Sequence, residues 1–343
     1  MIGNRVLFAL MVLTLFFTLD AVYAQRGSAR GEVVNIRIAS SLPRNSEWGK
    51  ALDRLTADWK RITGDQVRAV VTHDGREGSE SDMLRKLNSD AIQVAVFTSA
   101  GISEICPAVM TLSVPFMIRD NTELDAVLKN VQPVLESRIN SDFIVLAWSK
   151  GGWVYIFSKE KVVVPDELRR QRLGTSPELS SMNTVFRNMG YTLVEADMVN
   201  IGTRLASNMV NAIYMIPAAI VPMQVHRNLS HMLDMPIAPI MGALVMNRVT
   251  WNKLNSSQQQ DILDTTRRMA VEFDISMART ETNALLTMRR DGLNVNAPNT
   301  EQRVIWQSDI QKAMPSLVGV SGVFDHELYN RISDILEKTR NGR

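Results

Sequence analysis

The sequence predicts an α/β protein of two lobes, and three observations carry that class. Strands and helices alternate through residues 33–98 in the order βαβαβ with short connections, as in a doubly wound parallel sheet. Two long β-prone stretches, residues 143–158 and 236–246, are long enough to pass from one α/β unit into another. Residues 256–290 contain neither Gly nor Pro, so about 35 residues read as one helix spanning roughly 50 Å, long enough to brace both units.

Residues 33–40 alternate apolar and polar side chains and predict the first strand. Ser46 can cap a helix running to about residue 62, with Trp48, Leu52, Leu55 and Trp59 at helical spacing. A strand at 66–72 and a short helix at 81–87 follow. The third strand, 91–98, is almost continuously apolar, as a buried parallel strand would be. Gly151-Gly152 interrupts the β-prone stretch at 143–158. Residues 162–167 then open a second α/β unit with a helix at 180–189 and a strand at 191–196. The stretch 236–246 leads back to the first unit. On the long helix, Ile262, Met269, Phe273, Met277 and Leu285 form one stripe, Asp291-Gly292 ends the helix, and helices near 300–313 and 325–340 finish the chain. This pattern predicts a hinged binding protein with its ligand between the lobes, turning about Gly151-Gly152 and Met241-Gly242. The predicted division is 33–151 with 241–280 for lobe I and 152–240 with 281–343 for lobe II.

The 343 residues are 45% hydrophobic and 22% charged, ordinary globular proportions that exclude a disordered, collagen-like or disulfide-stapled chain. A net charge of +2 from 38 basic and 36 acidic residues gives no reason to expect nucleic acid as a partner. Residues 1–24 read as a secretory signal. Arg5 precedes an apolar run of about 12 residues, too short to span a bilayer, and Val22-Tyr23-Ala24 carries the small residues of a cleavage site. Cleavage near Ala24 would leave the mature chain outside the cytoplasm. The single cysteine, Cys106, allows no internal disulfide and reads as a buried small hydrophobe. The 19 methionines are the one compositional oddity; they suit irregular cores and adaptable apolar surfaces.

Catalytic constellations are absent: there is no HExxH, GxSxG, P-loop or GxGxxG phrase. His226 and His231 are five residues apart where a metal-binding helix face needs three or four, and His73 and His326 stand alone. Asp74/Glu77 and Glu80/Asp82 lie in a loop and at a helix start, where they complement the helix dipole. The chain reads as a binding protein, not an enzyme, with no cofactor and no metal.

The order of phrases resembles the solute receptors of TRAP transporters, the DctP-like periplasmic binding proteins, over about residues 34–339. Its carriers are Met83-Leu84-Arg85-Lys86-Leu87, Leu112-Ser113-Val114-Pro115-Phe116, Trp148-Ser149-Lys150-Gly151 and Val164-Pro165-Asp166-Glu167-Leu168. Met246-Asn247-Arg248-Val249-Thr250-Trp251 precedes the long helix in the same manner. The resemblance implies a two-lobed periplasmic-binding-protein fold and a receptor in the periplasm. Integral-membrane TRAP subunits are the implied partners, with, in one branch, a TPR-repeat periplasmic protein. It also implies a small organic acid held by arginines, and here this sequence departs from the pattern. The position of the arginine that follows the Pro-Asp-Glu-Leu phrase is Gly174, with Arg172 two residues earlier. The position of a second arginine is Trp153, and Met215, beside Tyr214, replaces an asparagine. The other positions matching family contacts are Ser40, Phe97, Thr98 and Met198, none of them charged. A buried carboxylate without a cation has nothing to offset its desolvation, so the expected ligand is apolar or uncharged, a class that includes lipid-like molecules. An acid bound through displaced residues, a cleft filled by Trp153, Met198 and Met215 that binds nothing small, and a sensor or interaction protein that keeps the fold without transporting are the alternatives.

Overall fold

The computed structural model describes residues 33–139, 141–177, 179–196, 200–320 and 323–342; the expected export signal and Met198 lie outside them. The first unit follows the expected order. Strand β1 (Val34–Ala39), helix α1 (Glu47–Ile62), β2 (Val67–Thr72), α2 (Glu80–Asn88), β3 (Val94–Thr98) and α3 (Ser99–Ile105) build a parallel sheet in the order β2-β1-β3. Ser46 caps α1 by accepting from the Gly49 amide. A 3-10 segment (Pro107–Ser113) and α4 (Asn121–Ile139) then lead into β4 (Phe143–Ser158).

The second unit comprises α5 (Pro165–Arg169), β5 (Arg172–Thr175), α6 (Ser180–Asn188), β6 (Thr192–Glu195), α7 (Ile201–Ala206), β7 (Ala212–Met215), α8 (Pro217–Ile220) and β8 (His231–Leu233). Strand β9 (Ala238–Asn247) returns, α9 (Arg248–Trp251) turns the chain, and α10 (Ser256–Arg290) is the expected long helix. Asn255 caps it reciprocally with Gln258. Strand β10 (Asn294–Asn296), α11 (Thr300–Ala313) and α12 (His326–Asn341) complete the fold.

All strands join in one path, β2-β1-β3-β9-β4-β7-β5-β6, with β8 and β10 attached beside β4. Strand β4 makes this possible. Its residues 143–154 pair antiparallel with β9, and residues 155–158 pair with β7. One core of Ile36, Leu55, Trp59, Val94, Leu244 and Ile262 lies in the first unit, and another, with Phe157, Ile201, Val210 and Met288, in the second. A third core crosses both, from Met83 and Phe97 through Ile156 to Phe186 and Trp306.

The long helix α10 spans both units as expected. Near its start the Trp59 indole donates to Thr266 Oγ1 at 3.1 Å, and near its end His226 meets Asp291 at 3.1 Å. The placement of α12 departs from the expected division. It packs on α4 and the 3-10 segment of the first unit, where Arg340 donates to the buried Glu123 carboxylate at 2.9 Å, instead of joining the second unit. A buried carboxylate needs such a partner, and the guanidinium supplies two prongs.

Trp59 is fully buried, so its N–H depends on Thr266. Thr266→Val is expected to destabilise the fold by about 1–3 kcal/mol in chemical denaturation, the cost of a stranded buried donor.

Candidate functional site

The candidate site lies where β3, β9 and β4 run side by side at the boundary of the two units. Gly242 pairs with Thr98 on one flank and Ser149 on the other. A Cβ at Gly242 would stand 2.9 Å from Ser149 Oγ and 3.3 Å from the Trp48 ring, so the glycine lets an indole lie on the sheet. Trp48 belongs to the first turn of α1. Its ring meets Phe273 of α10 with centroids 3.7 Å apart. Ala51, Phe273 and Met277 form a small cluster joined by Trp48, Ile216 and Ala218. Side chains from α1, the long helix and the β7–α8 segment thus converge between the units. Behind Trp48, an apolar crevice lined by Leu52, Val96, Ala147, Leu244, Met269 and Phe273 keeps a free volume of about 30 Å³, roughly that of one water molecule.

The positions named from sequence fall around this junction with different roles. Ser40 is fully buried, its hydroxyl accepting from the Leu42 amide in the turn after β1. Thr98 is half-buried at the end of β3, but its amide and hydroxyl both donate to the Glu80 carboxylate, which also takes the Gly101 amide at 2.7 Å. Phe97 differs from the expectation of a lining side chain. Strand alternation turns its ring away into the core under α3, where it is fully buried. Trp153 is 9% exposed and its indole donates to Asn121 Oδ1 at 2.9 Å, which holds the ring against the start of α4.

Gly174 is buried in β5, and a Cβ there would come within 2.8 Å of Val210 and 3.0 Å of Ile201. The space an arginine stem would need is occupied by these two side chains. Arg172 is exposed, with its guanidinium donating to the carbonyls of Asn208 and Met209, on the outer end of the strand. Tyr214 and Met215 are half-buried at the end of β7. Burial pushes the Tyr214 hydroxyl far above its ordinary range, and its ring meets the edge of Phe186 at 5.1 Å. Of the other methionines in this unit, Met232 and Met235 are core residues and Met209 is exposed; Met223, like Met215, is half-buried against the core of the second unit.

Two carboxylates of α10 complete the junction. Asp274 accepts from the Lys150 amide at 2.7 Å, and Glu281 from the Trp153 amide at 2.9 Å. Between these amides the β4–β9 register shifts and Gly152 takes φ +112°. A Cβ at Gly152 would lie 2.3 Å from Glu281 Oε1. Burial raises the Asp274 carboxyl to about 6, against the lowering effects of the Lys150 amide and charge. Burial likewise raises Glu281 to about 7, against the Trp153 amide. Burial, with the charges of Glu281 and Asp234, pushes the Tyr155 hydroxyl up to about 12.

Sequence reasoning assigned Trp48 and Phe273 to helix cores and did not assign Asp274 or Glu281 at all. The usable signal for the tryptophan was its place on the first turn of a helix following β1, at the cleft end of a doubly wound sheet. Among the described residues no group of acidic, histidine or cysteine side chains is arranged to hold a metal, and no helix is long and apolar enough to cross a membrane.

Two sheet halves sharing long strands, braced by one helix and meeting at an apolar junction, define a two-lobed solute receptor. Residues 38–318 match the family described as bacterial extracellular solute-binding protein, family 7, or DctP. The chain belongs to this family, that of the TRAP periplasmic solute receptors. It is 22% identical over 268 residues to a solute-binding protein of Verminephrobacter eiseniae (strain EF01-2), covering 76% of this chain and 78% of that protein. Its fold is similar to that of the sugar acid binding protein DctPAm of Advenella mimigardefordensis strain DPN7T in complex with galactonate. The TM-score is 0.80, with 14% identity, 90% of this chain covered and 99% of that one. A TRAP periplasmic solute binding protein of Xanthobacter autotrophicus Py2 with bound β-D-galacturonate gives a TM-score of 0.77 at 15% identity. That likeness covers 88% of this chain and 99% of its own.

Gly152→Ala combines a positive φ with a contact against Glu281. The variant is expected to lose about 1–3 kcal/mol of stability in a denaturant titration, more than an ordinary exposed Gly→Ala change.

Proposed function

We propose that the chain is the extracytoplasmic receptor of a TRAP-type transporter and binds an apolar or uncharged ligand between its lobes, delivering it to integral-membrane permease subunits. The observation that carries the reading is the state of the two positions where the resemblance implies arginine. One holds Trp153, its indole tied to Asn121, and the other Gly174, its space taken by Val210 and Ile201. The cations on the same strands are engaged elsewhere, Lys150 with Asp125 at 2.5 Å and Arg172 with backbone carbonyls. The Thr98 donors that could greet an anion are spent on Glu80. What the junction offers instead is Trp48, Phe273, Ile216, Met277 and Met215.

In this reading Ser40, Thr98, Trp153, Gly174, Tyr214 and Met215 frame the site, with Trp48 added from the structure. Lobe I comprises residues 33–151 and 241–280, and lobe II residues 152–240 and 281–325, while α12 rides on lobe I. Export by the amino-terminal signal places the mature receptor in the periplasm, where a TPR-repeat protein is a further candidate partner. Closure is a rotation about Gly151-Gly152 and Met241-Gly242.

The organic-acid reading has its own support in the galactonate and galacturonate of the two structural neighbours. Native mass spectrometry and organic extraction of the receptor purified from a periplasmic fraction separate the two. The expected result is an uncharged or lipid-like molecule retained at stoichiometric level. Recovery of only sugar acids or short dicarboxylates, with calorimetric binding of galactonate or galacturonate, would overturn the apolar reading. Trp153→Arg is expected to weaken binding of the extracted molecule by about tenfold or more, because it inserts a charge that an apolar ligand leaves unpaired. Tryptophan emission should shift on addition of that molecule, and the shift should be reduced in Trp48→Phe.

A further inference from the structure

We propose that Asp274 and Glu281 form a two-pronged clamp that holds the hinge of β4 in its closed form, and that opening the receptor releases protons from this clamp. The inference extends the lobe-closure reading above and depends on it.

The geometry is specific to the hinge. Strand β4 has β9 along one edge through Val154, but its other edge gains a strand partner, β7, only at Tyr155. The amides of Lys150 and Trp153 are taken by the long helix. Seven residues of helix span about 10.5 Å, and three of strand about 10 Å, so the spacing of the two acids matches the spacing of the two amides. In an unbroken strand, amides three residues apart point to opposite edges. They reach the same helix here because the register shift at Lys150/Gly152 and the positive φ of Gly152 rotate the strand between them. The clamp therefore reads the conformation of the two glycines about which the lobes would turn. Rotation there would separate the two amides from their carboxylates.

The groups around the clamp decide its response to protons. Asp274 faces the Lys150 ammonium, itself paired with Asp125 of α4, and shares a surface pocket with Lys129, Glu136 and Arg267. The Glu281 charge acts on Tyr155 of β4, and Asp234 acts on the same tyrosine from the segment before β9. On α1, Glu47 bonds Ser276 between the two acids. No cation is paired with Glu281 among the described residues, and the Lys150 ammonium is shared with Asp125. Both carboxyls therefore hold protons to higher pH in the closed form than in water. Opening hydrates them and returns them toward ordinary carboxylate values. The closed form thus binds more protons across about pH 4–7, and lowering the pH through that window favours closure.

The test is a distance measurement on the full mature chain, with spin labels at Arg61→Cys on α1 and Arg187→Cys on α6. Both sites are exposed, while the native Cys106 is buried and its thiol raised by burial, so it stays unlabelled. Without added ligand, the closed-to-open ratio is expected to rise about tenfold or more between pH 8 and pH 5. Glu281→Gln, which keeps an oxygen acceptor and removes the charge, should be largely closed at both pH values. Glu281→Ala should be the more open at both. Hydrogen exchange at the Trp153 amide should slow in parallel with closure in the wild type and quicken in Glu281→Ala.

Two distances whose ratio ignores both pH and the Glu281 variants would overturn the clamp and leave lobe closure standing. A single distance in every variant at every pH would overturn clamp and closure together. If Glu281→Ala fails to fold, the comparison of Glu281→Gln with wild type across pH decides alone.

Discussion

The architecture depends on one strand serving two sheet halves. Strand β4 must satisfy antiparallel pairing with β9 over most of its length and then exchange that role for β7. Between the two ladders, one edge has backbone donors with no strand opposite, and a buried donor without a partner costs about 1–3 kcal/mol. The long helix supplies those partners through Asp274 and Glu281 while its apolar residues enter the cores of both units. The same contact that satisfies the crossing thereby sets how the two units are spaced. A hydrophobic helix could not have done this, because it would have left the amides bare. The cost is that two acids sit away from water, and their raised carboxyl values record it.

Much of this plan is legible in the chain because its signals are long. The βαβαβ start, the 16 residues of β4 and the 35 of α10 each repeat their pattern through several turns or pleats, and their boundaries fall within a few residues of expectation. Helix α4 escaped because Pro133 stands inside it and interrupts the usual reading of a helix. Strands β5, β7, β8 and β10 have three or four residues, too few for alternation to stand out from chance. The place of α12 was hidden for another reason. Its ion pair joins Arg340 to Glu123 across 217 positions, and no local pattern carries that information.

The site was legible by substitution more than by presence. Comparing phrases drew attention to Trp153 and Gly174, but not to what fills the vacated volume. Only the fold shows that Val210 and Ile201 close over Gly174 and that Asn121 fixes Trp153. Phe97 shows the converse limit. One residue along a strand moves a side chain from one face to the other, so the Phe97 ring faces the core and its backbone oxygen is what lies near Gly242. Trp48 was visible as a helix residue, yet its place over the sheet depends on the glycine beneath it on β9, nearly 200 residues later in the chain.

The electrostatic character of the junction follows from the same contacts. Glu80 places a carboxylate on the donors at the end of β3, and the Lys150 ammonium on β4 is already paired with Asp125. An acidic ligand entering there would lose its hydration and find the strand-borne cations Lys150 and Arg172 already engaged, and desolvating a carboxylate costs several kcal/mol per ion after relaxation. An uncharged ligand loses little and gains contact with the Trp48 and Phe273 rings. The crevice behind Trp48 is too small for a ligand while the indole lies on Gly242. Trp48 has no hydrogen bond to hold it among the described residues, whereas Trp59, Trp148, Trp153 and Trp306 each donate one. Trp251 shares that lack but lies away on α9, so at the junction Trp48 is the indole without a hydrogen bond, and its displacement would be the least costly way to make room for an apolar molecule of the kind proposed.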